Sequence, residues 1–177
     1  ITPAPAGPAP NPPDETNSLT GQSTIAKTSA EVIEVHLDPP DPPASPSVLE
    51  AIETSDVLVL GPGSWFTSVM PHLLVPQIVE AIMDSDALKI LTLNVAGADE
   101  TNGFSPARHL EVLAEHEPRI RFDVVLADRS FARSDPHLGT FARNLGARIV
   151  EADLAMHDGS ARAAPVSDTQ RTLPTEA

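Results

Sequence analysis

The sequence contains no cysteine, which excludes disulfides, thiolate zinc sites and cysteine nucleophiles and fits a reducing, cytosolic compartment. Aromatic residues make up only 3% of it, so few rings are available for stacking on bases. Basic residues are scarce as well: 11 Lys and Arg stand against 25 Asp and Glu, for a formal net charge of -14. Such a surface favours solubility and repels a phosphate backbone, so no nucleic-acid partner is expected. Nor is there a long apolar run. The least charged stretch, 57–79, is interrupted by Gly61, Pro62, Gly63, Pro71, His72 and Pro76, and no membrane insertion is expected from it. No secretory leader is visible, and an opening on Ile1 within an Ala/Pro-rich stretch reads as a fragment or a processed piece.

What is present suffices for one domain with a sizeable core: 177 residues, 41% of them hydrophobic. Residues 1–16, "ITPAPAGPAPNPPDET", are Pro-rich and almost free of large apolar side chains, and are expected to be disordered because burial cannot offset their ordering entropy. Residues 167–177 form a polar tail of the same kind, and the Pro-dense 37–46 is a stiff connector. The folded part is expected over 17–166. In it, apolar runs at 32–37, 57–60, 89–93, 122–126 and 148–150 alternate with helix-length amphipathic segments at 47–54, 67–83, 106–116 and 136–145. Four of the runs are short and continuously apolar, as strands covered on both faces should be. Ser105 is placed to cap the third helix, with Pro106 in its first turn, and Gly146 to end the fourth. Alternation of this kind predicts an α/β fold, doubly wound, with a mostly parallel sheet and helices on both faces.

Ligands of such sheets bind beyond the carboxyl ends of the strands, which directs attention to 61–64, 94–104, 128–131 and 153–159. In the first of these, Gly61, Pro62 and Gly63 bare the backbone, and Ser64, Thr67 and Ser68 bring hydroxyls to the start of the following helix, an arrangement that attracts anions. The turn lacks the GK[ST] of a P-loop and the spacing of a dinucleotide fingerprint or nucleophile elbow. It reads either as a phosphate cradle or as a corner whose glycines serve packing. In the second loop, Asn94 can point into the crevice, and Glu100 and Thr101 beside Asn102-Gly103 suit sugar or nucleoside hydroxyls; the alternative is a solvated Asn-Gly corner.

Six histidines (36, 72, 109, 116, 137 and 157) show no metal-ligand spacing. Asp123, Asp128, Asp135 and Asp153 are carboxylates of the sort that bind Mg2+ or, more commonly, cap helices. Of Arg129, Arg133, Arg143, Arg148 and Arg162, a few are candidates for clamping a diphosphate and most for surface ion pairs.

The blocks "LVLGPGSWFTSVMPHLLVPQIVEAI", "LTLN…ETNGFSPARHLEVLAEH", "DVVLADRSF" and "ADLAMHDGSAR", in this order and spacing, resemble the actinobacterial branch of the gluconeogenesis-factor family (YvcK-like). That family is related to the 2-phospho-L-lactate transferases (CofD-like) of deazaflavin coenzyme biosynthesis. The likeness spans residues 20–162 and matches the carboxyl-terminal half of the family. It implies a partial Rossmann-like domain and, as function, a UDP-sugar-binding regulatory protein, with UDP-N-acetylglucosamine as example ligand. Cell shape and cell-wall synthesis on gluconeogenic carbon sources would depend on it, in the cytoplasm and without a catalytic residue. The alternatives are a metal-dependent transferase using Mg2+, or a fragment that binds nothing.

Carried over by position, Gly61, Pro62, Gly63, Ser64, Thr67 and Ser68 fall on the family's Gly-Pro-Gly-Ser-x-x-Thr-Ser turn. Glu100, Thr101, Gly103 and Phe104 fall on its Glu-Thr-x-Gly-aromatic loop, His109 on its downstream histidine, and Arg162 on the first residue of an Arg-His-Asp-Pro element. Here that element reads Arg162-Ala163-Ala164-Pro165, without the His and Asp. The family's glycine-rich first strand-turn-helix would lie before residue 1, so a missing amino-terminal half or another chain is expected to complete the site.

Overall fold

A computed structural model of the chain describes residues 20, 21, 35–95, 101 and 103–154. Within them the order is α1 (Pro46–Glu53), β1 (Val57–Leu60), a π-turn (Trp65–Val69), a 3-10 turn (Met70–Leu74), α2 (Pro76–Asp84), β2 (Leu88–Thr92), α3 (Pro106–His116), β3 (Val124–Asp128), α4 (Arg129–Arg133), α5 (Leu138–Asn144) and β4 (Arg148–Ala152). The strands form one parallel sheet in the order β1-β2-β3-β4. This is the expected α/β class. The expected boundaries hold closely for β1, β2, β4, α1, α3 and α5.

Three expectations change. The single helix expected over 67–83 is broken, because Pro76 disfavours helical backbone at the residue before it. Val75 is accordingly extended, at φ -106 and ψ 104, and the segments on either side of it are bent by 78°. The third strand begins at Val124 instead of residue 122, since the Phe122 amide donates to the Leu145 carbonyl at 3.0 Å and not to the ladder. Residues 35–37 are not in a strand, while 32–34 lie outside the described residues, as do 1–16 and the tail. No single described helix is long and apolar enough to cross a membrane.

The sheet buries its two faces unequally. Every connection moves one strand further in the same direction, and right-handed crossovers then place all three connections on one face. That face carries Leu60, Leu91, Val125, Ala127 and Ile149, which pack with Trp65, Phe66, Met70, Leu110, Leu113 and Leu138 into the hydrophobic core. On the opposite face Val57, Val59 and Leu88 remain 47%, 59% and 43% exposed.

Candidate functional site

The loops at the carboxyl ends of β1, β2 and β3 are tied together by a small number of contacts. Gly61 has φ +82, and a Cβ there would lie 2.5 Å from the Thr92 carbonyl oxygen of β2, so glycine is the residue that lets the turn pass over the neighbouring strand. Asn94 then clamps the turn. The Gly63 amide donates to Asn94 Oδ1 at 3.1 Å, and Asn94 Nδ2 donates to the Gly63 carbonyl at 2.9 Å. The side chain expected to reach into the crevice is thus spent on the turn itself.

After the clamp the chain enters the π-turn. The Ser64 carbonyl accepts from both Ser68 N and Val69 N, at 2.8 and 3.1 Å, and the Ser64 and Thr67 hydroxyls share a hydrogen bond. Pro62 and Ser68 are exposed, whereas Thr67 is buried. The amides of Ser64 and Phe66 find no acceptor among the described residues. A Cβ on Gly63 would come within 3.1 Å of Ser68 Cβ, so the two limbs of the bend are in close contact.

The second loop is anchored from below. Thr101 is completely buried, and its carbonyl accepts from the Phe104 amide at 2.9 Å. Gly103 has φ +85 with open space around it. Ser105 caps α3, accepting from the Arg108 amide. Asp135 holds the same helix start from across the fold: its carboxylate accepts from the amides of Ala107 at 3.1 Å and His137 at 2.8 Å. Burial by itself would push Asp135 up, but hydrogen bonds from the Ser105 hydroxyl and those two amides outweigh it and hold the carboxyl below its ordinary value.

His109 links the loops through its ring. It is fully buried, and its Nδ1–H donates to the Ser105 carbonyl at 2.9 Å. The imidazole stands edge to face with Trp65 of the first turn at 4.9 Å, Phe104 of the second loop at 5.4 Å and Phe131 after β3 at 6.0 Å. Three segments far apart in sequence therefore meet on one histidine. Of these four residues, the resemblance singles out Phe104 and His109 by position. Trp65 and Phe131 carried no local signal, because their role is created by packing between loops.

At the far side, Asp128 is buried and caps α4, accepting from the Ser130 and Phe131 amides, while its second oxygen accepts from the Leu154 amide at 3.0 Å. Arg133 pairs with Glu151 at 2.9 Å, and Arg129 lies 3.7 Å from Asp153. Glu100 and Arg162 lie outside the described residues. Among the described residues no group of three or more His, Asp or Glu is placed to hold a metal ion; the Mg2+ of the transferase alternative finds no ligand set there.

Residues 13–167 match the family described as 2-phospho-L-lactate transferase CofD. The chain belongs to that family. It is 40% identical over 151 residues to a putative gluconeogenesis factor of Mycobacterium tuberculosis, covering 85% of this chain and 44% of the relative. It is 43% identical over 99 residues to the gluconeogenesis factor of Halalkalibacterium halodurans, covering 55% of this chain and 31% of that protein. Among solved structures, a UPF0052-family protein of Bacillus halodurans superposes with a TM-score of 0.69 at 32% identity, over 82% of this chain and 52% of that one. The chain thus spans about half or less of the CofD-family proteins it matches.

Proposed function

We propose that this CofD-family chain is part of a gluconeogenesis-factor-type regulatory protein that binds a UDP-sugar, UDP-N-acetylglucosamine being the first candidate, in the cytoplasm. Residues 61–68 hold the diphosphate and the 97–104 loop contacts sugar or ribose. Cell shape and wall synthesis on gluconeogenic carbon sources are its physiological setting, and a further half-domain completes the crevice. The observation that carries this reading is the clamped turn. Asn94 fixes Gly63, Gly61 lets the backbone cross Thr92, and the Ser64 and Phe66 amides are left over at the carboxyl end of β1 for an anionic oxygen. The relatives' names, gluconeogenesis factor, support the gluconeogenic setting.

Calorimetry of the complete protein with UDP-N-acetylglucosamine tests the reading, with saturable heat expected; absence of heat from folded protein at high ligand concentration discards it. Gly63→Val should remove binding while the protein still melts cooperatively, since the added Cβ pushes on Ser68 and distorts only the bend. The family description favours one other reading, a metal-dependent phospholactyl transferase. Magnesium-dependent turnover of a nucleotide-activated donor by the complete protein would establish that instead.

A further inference from the structure

His109 does more than fill the space between the first turn and the second loop. Burying an imidazole completely carries a desolvation cost that a leucine in its place would not, so the polar ring has to be explained. The Ser105 carbonyl accepts from it twice, from the backbone amide at 3.3 Å and from Nδ1–H at 2.9 Å. With backbone and ring tied to one oxygen, the plane of the imidazole is fixed on α3. It then meets Trp65 at 4.9 Å and an interplanar angle of 86°, and Phe104 at 5.4 Å and 77°. Edge-to-face contacts are directional, so a ring held at one angle also orients its neighbours.

The turn and the loop differ in what else holds them. The turn is tied to the end of β2 without His109, through the Asn94 clamp and the passage of Gly61 over the Thr92 carbonyl. The end of the second loop is tied to another part of the fold, through the Asp135 carboxylate on the Ala107 amide. Between the turn and that loop end stand ring contacts: His109 with Trp65 and with Phe104, and Phe66 with Phe104 at 6.1 Å. Phe131, which belongs to neither segment, adds a third contact to the imidazole at 6.0 Å. We propose that His109 is a positioning residue that sets the spacing between the turn and the second loop, and thereby decides how far the site prefers a nucleoside-diphosphate sugar over the bare nucleoside diphosphate. This rests on the proposed function, in which the turn takes the diphosphate and the loop contacts the sugar. Because the turn has its own anchors, loss of the ring frees the loop end and leaves the grip on the diphosphate in place.

Calorimetry of the complete protein tests it, with UDP and UDP-N-acetylglucosamine each titrated into wild type and His109→Leu below the variant's melting temperature. The affinity for UDP should stay within about twofold, whereas the preference for the sugar nucleotide over UDP should fall by about fivefold or more, the lower end of usual couplings between sites. A preference unchanged from wild type overturns the proposal while the proposed function stands. Equal losses for both ligands overturn it as well, since they mark a residue that only supports the fold. A wild type that binds both ligands equally leaves no preference for the ring to set and overturns it too. A wild type that takes up neither ligand removes the proposed function, and this proposal with it. Where His109→Leu no longer melts cooperatively, Phe131→Leu decides, because Phe131 is half-buried and lies in neither segment. Its preference should fall in the same direction with UDP affinity retained; an unchanged preference overturns the proposal.

Discussion

β1 and β3 are both short apolar runs in the same parallel sheet, yet β3 buries four of its five residues whereas β1 leaves Val57 and Val59 about half exposed. Side-chain chemistry does not separate them, since Val-Leu-Val-Leu is at least as apolar as Val-Val-Leu-Ala-Asp. Their place in the winding does. Among the described residues β3 has hydrogen-bonded neighbours on both edges, and β1 has one, at β2. Two runs of equal apolar character are thus buried differently according to their place in the sheet.

The sharpest way to break this comparison is to place the same charge on both strands. Val125→Asp puts a carboxylate where exposure is nil, with an expected cost above about 4 kcal/mol and loss of the cooperative transition. Val59→Asp, on the open face, should cost no more than about 1 kcal/mol, mostly through poor strand propensity. Urea denaturation of the two variants decides the matter. A large loss for Val59→Asp would mean that the second face is already covered within this chain.

The two strands also end differently, which gives a smaller and more local contrast. β1 ends in a turn held by its neighbour, through the Thr92 carbonyl and the Asn94 clamp, whereas β3 ends in Asp128, which caps the next helix itself. Gly61→Ala adds a Cβ at φ +82 against the Thr92 oxygen, for an expected cost of about 1–3 kcal/mol. Asp128→Ala removes a helix cap and the acceptor of the Leu154 amide, for about 1–2 kcal/mol. Thermal melts rank the pair, and amide exchange separates them: the first variant should loosen Gly63, the second Ser130 and Leu154.

Much of this was legible in the sequence where the signal is local. The β1 and α3 boundaries follow from an apolar run before Gly-Pro-Gly and from a Ser-Pro start, and Gly61 declares a bend that a side chain would obstruct. What escaped depends on partners distant in sequence. Asn94 read as a group facing the crevice because nothing near it announces a clamp on Gly63, 31 residues away. The break at Val75 was hidden by apolar periodicity that continues through Pro76. The short α4 went unread because its cap, Asp128, is also the last residue of β3. The meeting of Trp65, Phe104 and Phe131 on His109 exists only once three loops have been brought to the same end of the sheet.

The smallest expected effect concerns the anchor beneath the second loop, and its pH dependence sets it apart from the rest. The Asp135 carboxyl is held below its ordinary value of 3.8 because hydrogen bonds from the Ser105 hydroxyl and from the His137 and Ala107 amides outweigh the burial that would raise it. A depressed folded value means that the unfolded chain takes up the proton more readily. The stabilisation is therefore complete above the unfolded value and is lost as pH falls from there through the folded one. Asp135→Asn keeps the shape but offers one acceptor oxygen to two amide donors, so it should cost about 1 kcal/mol at neutral pH and flatten the acid limb of the stability profile. Melting temperatures between neutral pH and pH 3 measure both effects. A parallel displacement of the curve, with the acid slope unchanged, would show that Asp135 holds α3 through shape and not through charge, and that the start of the second loop does not answer to pH.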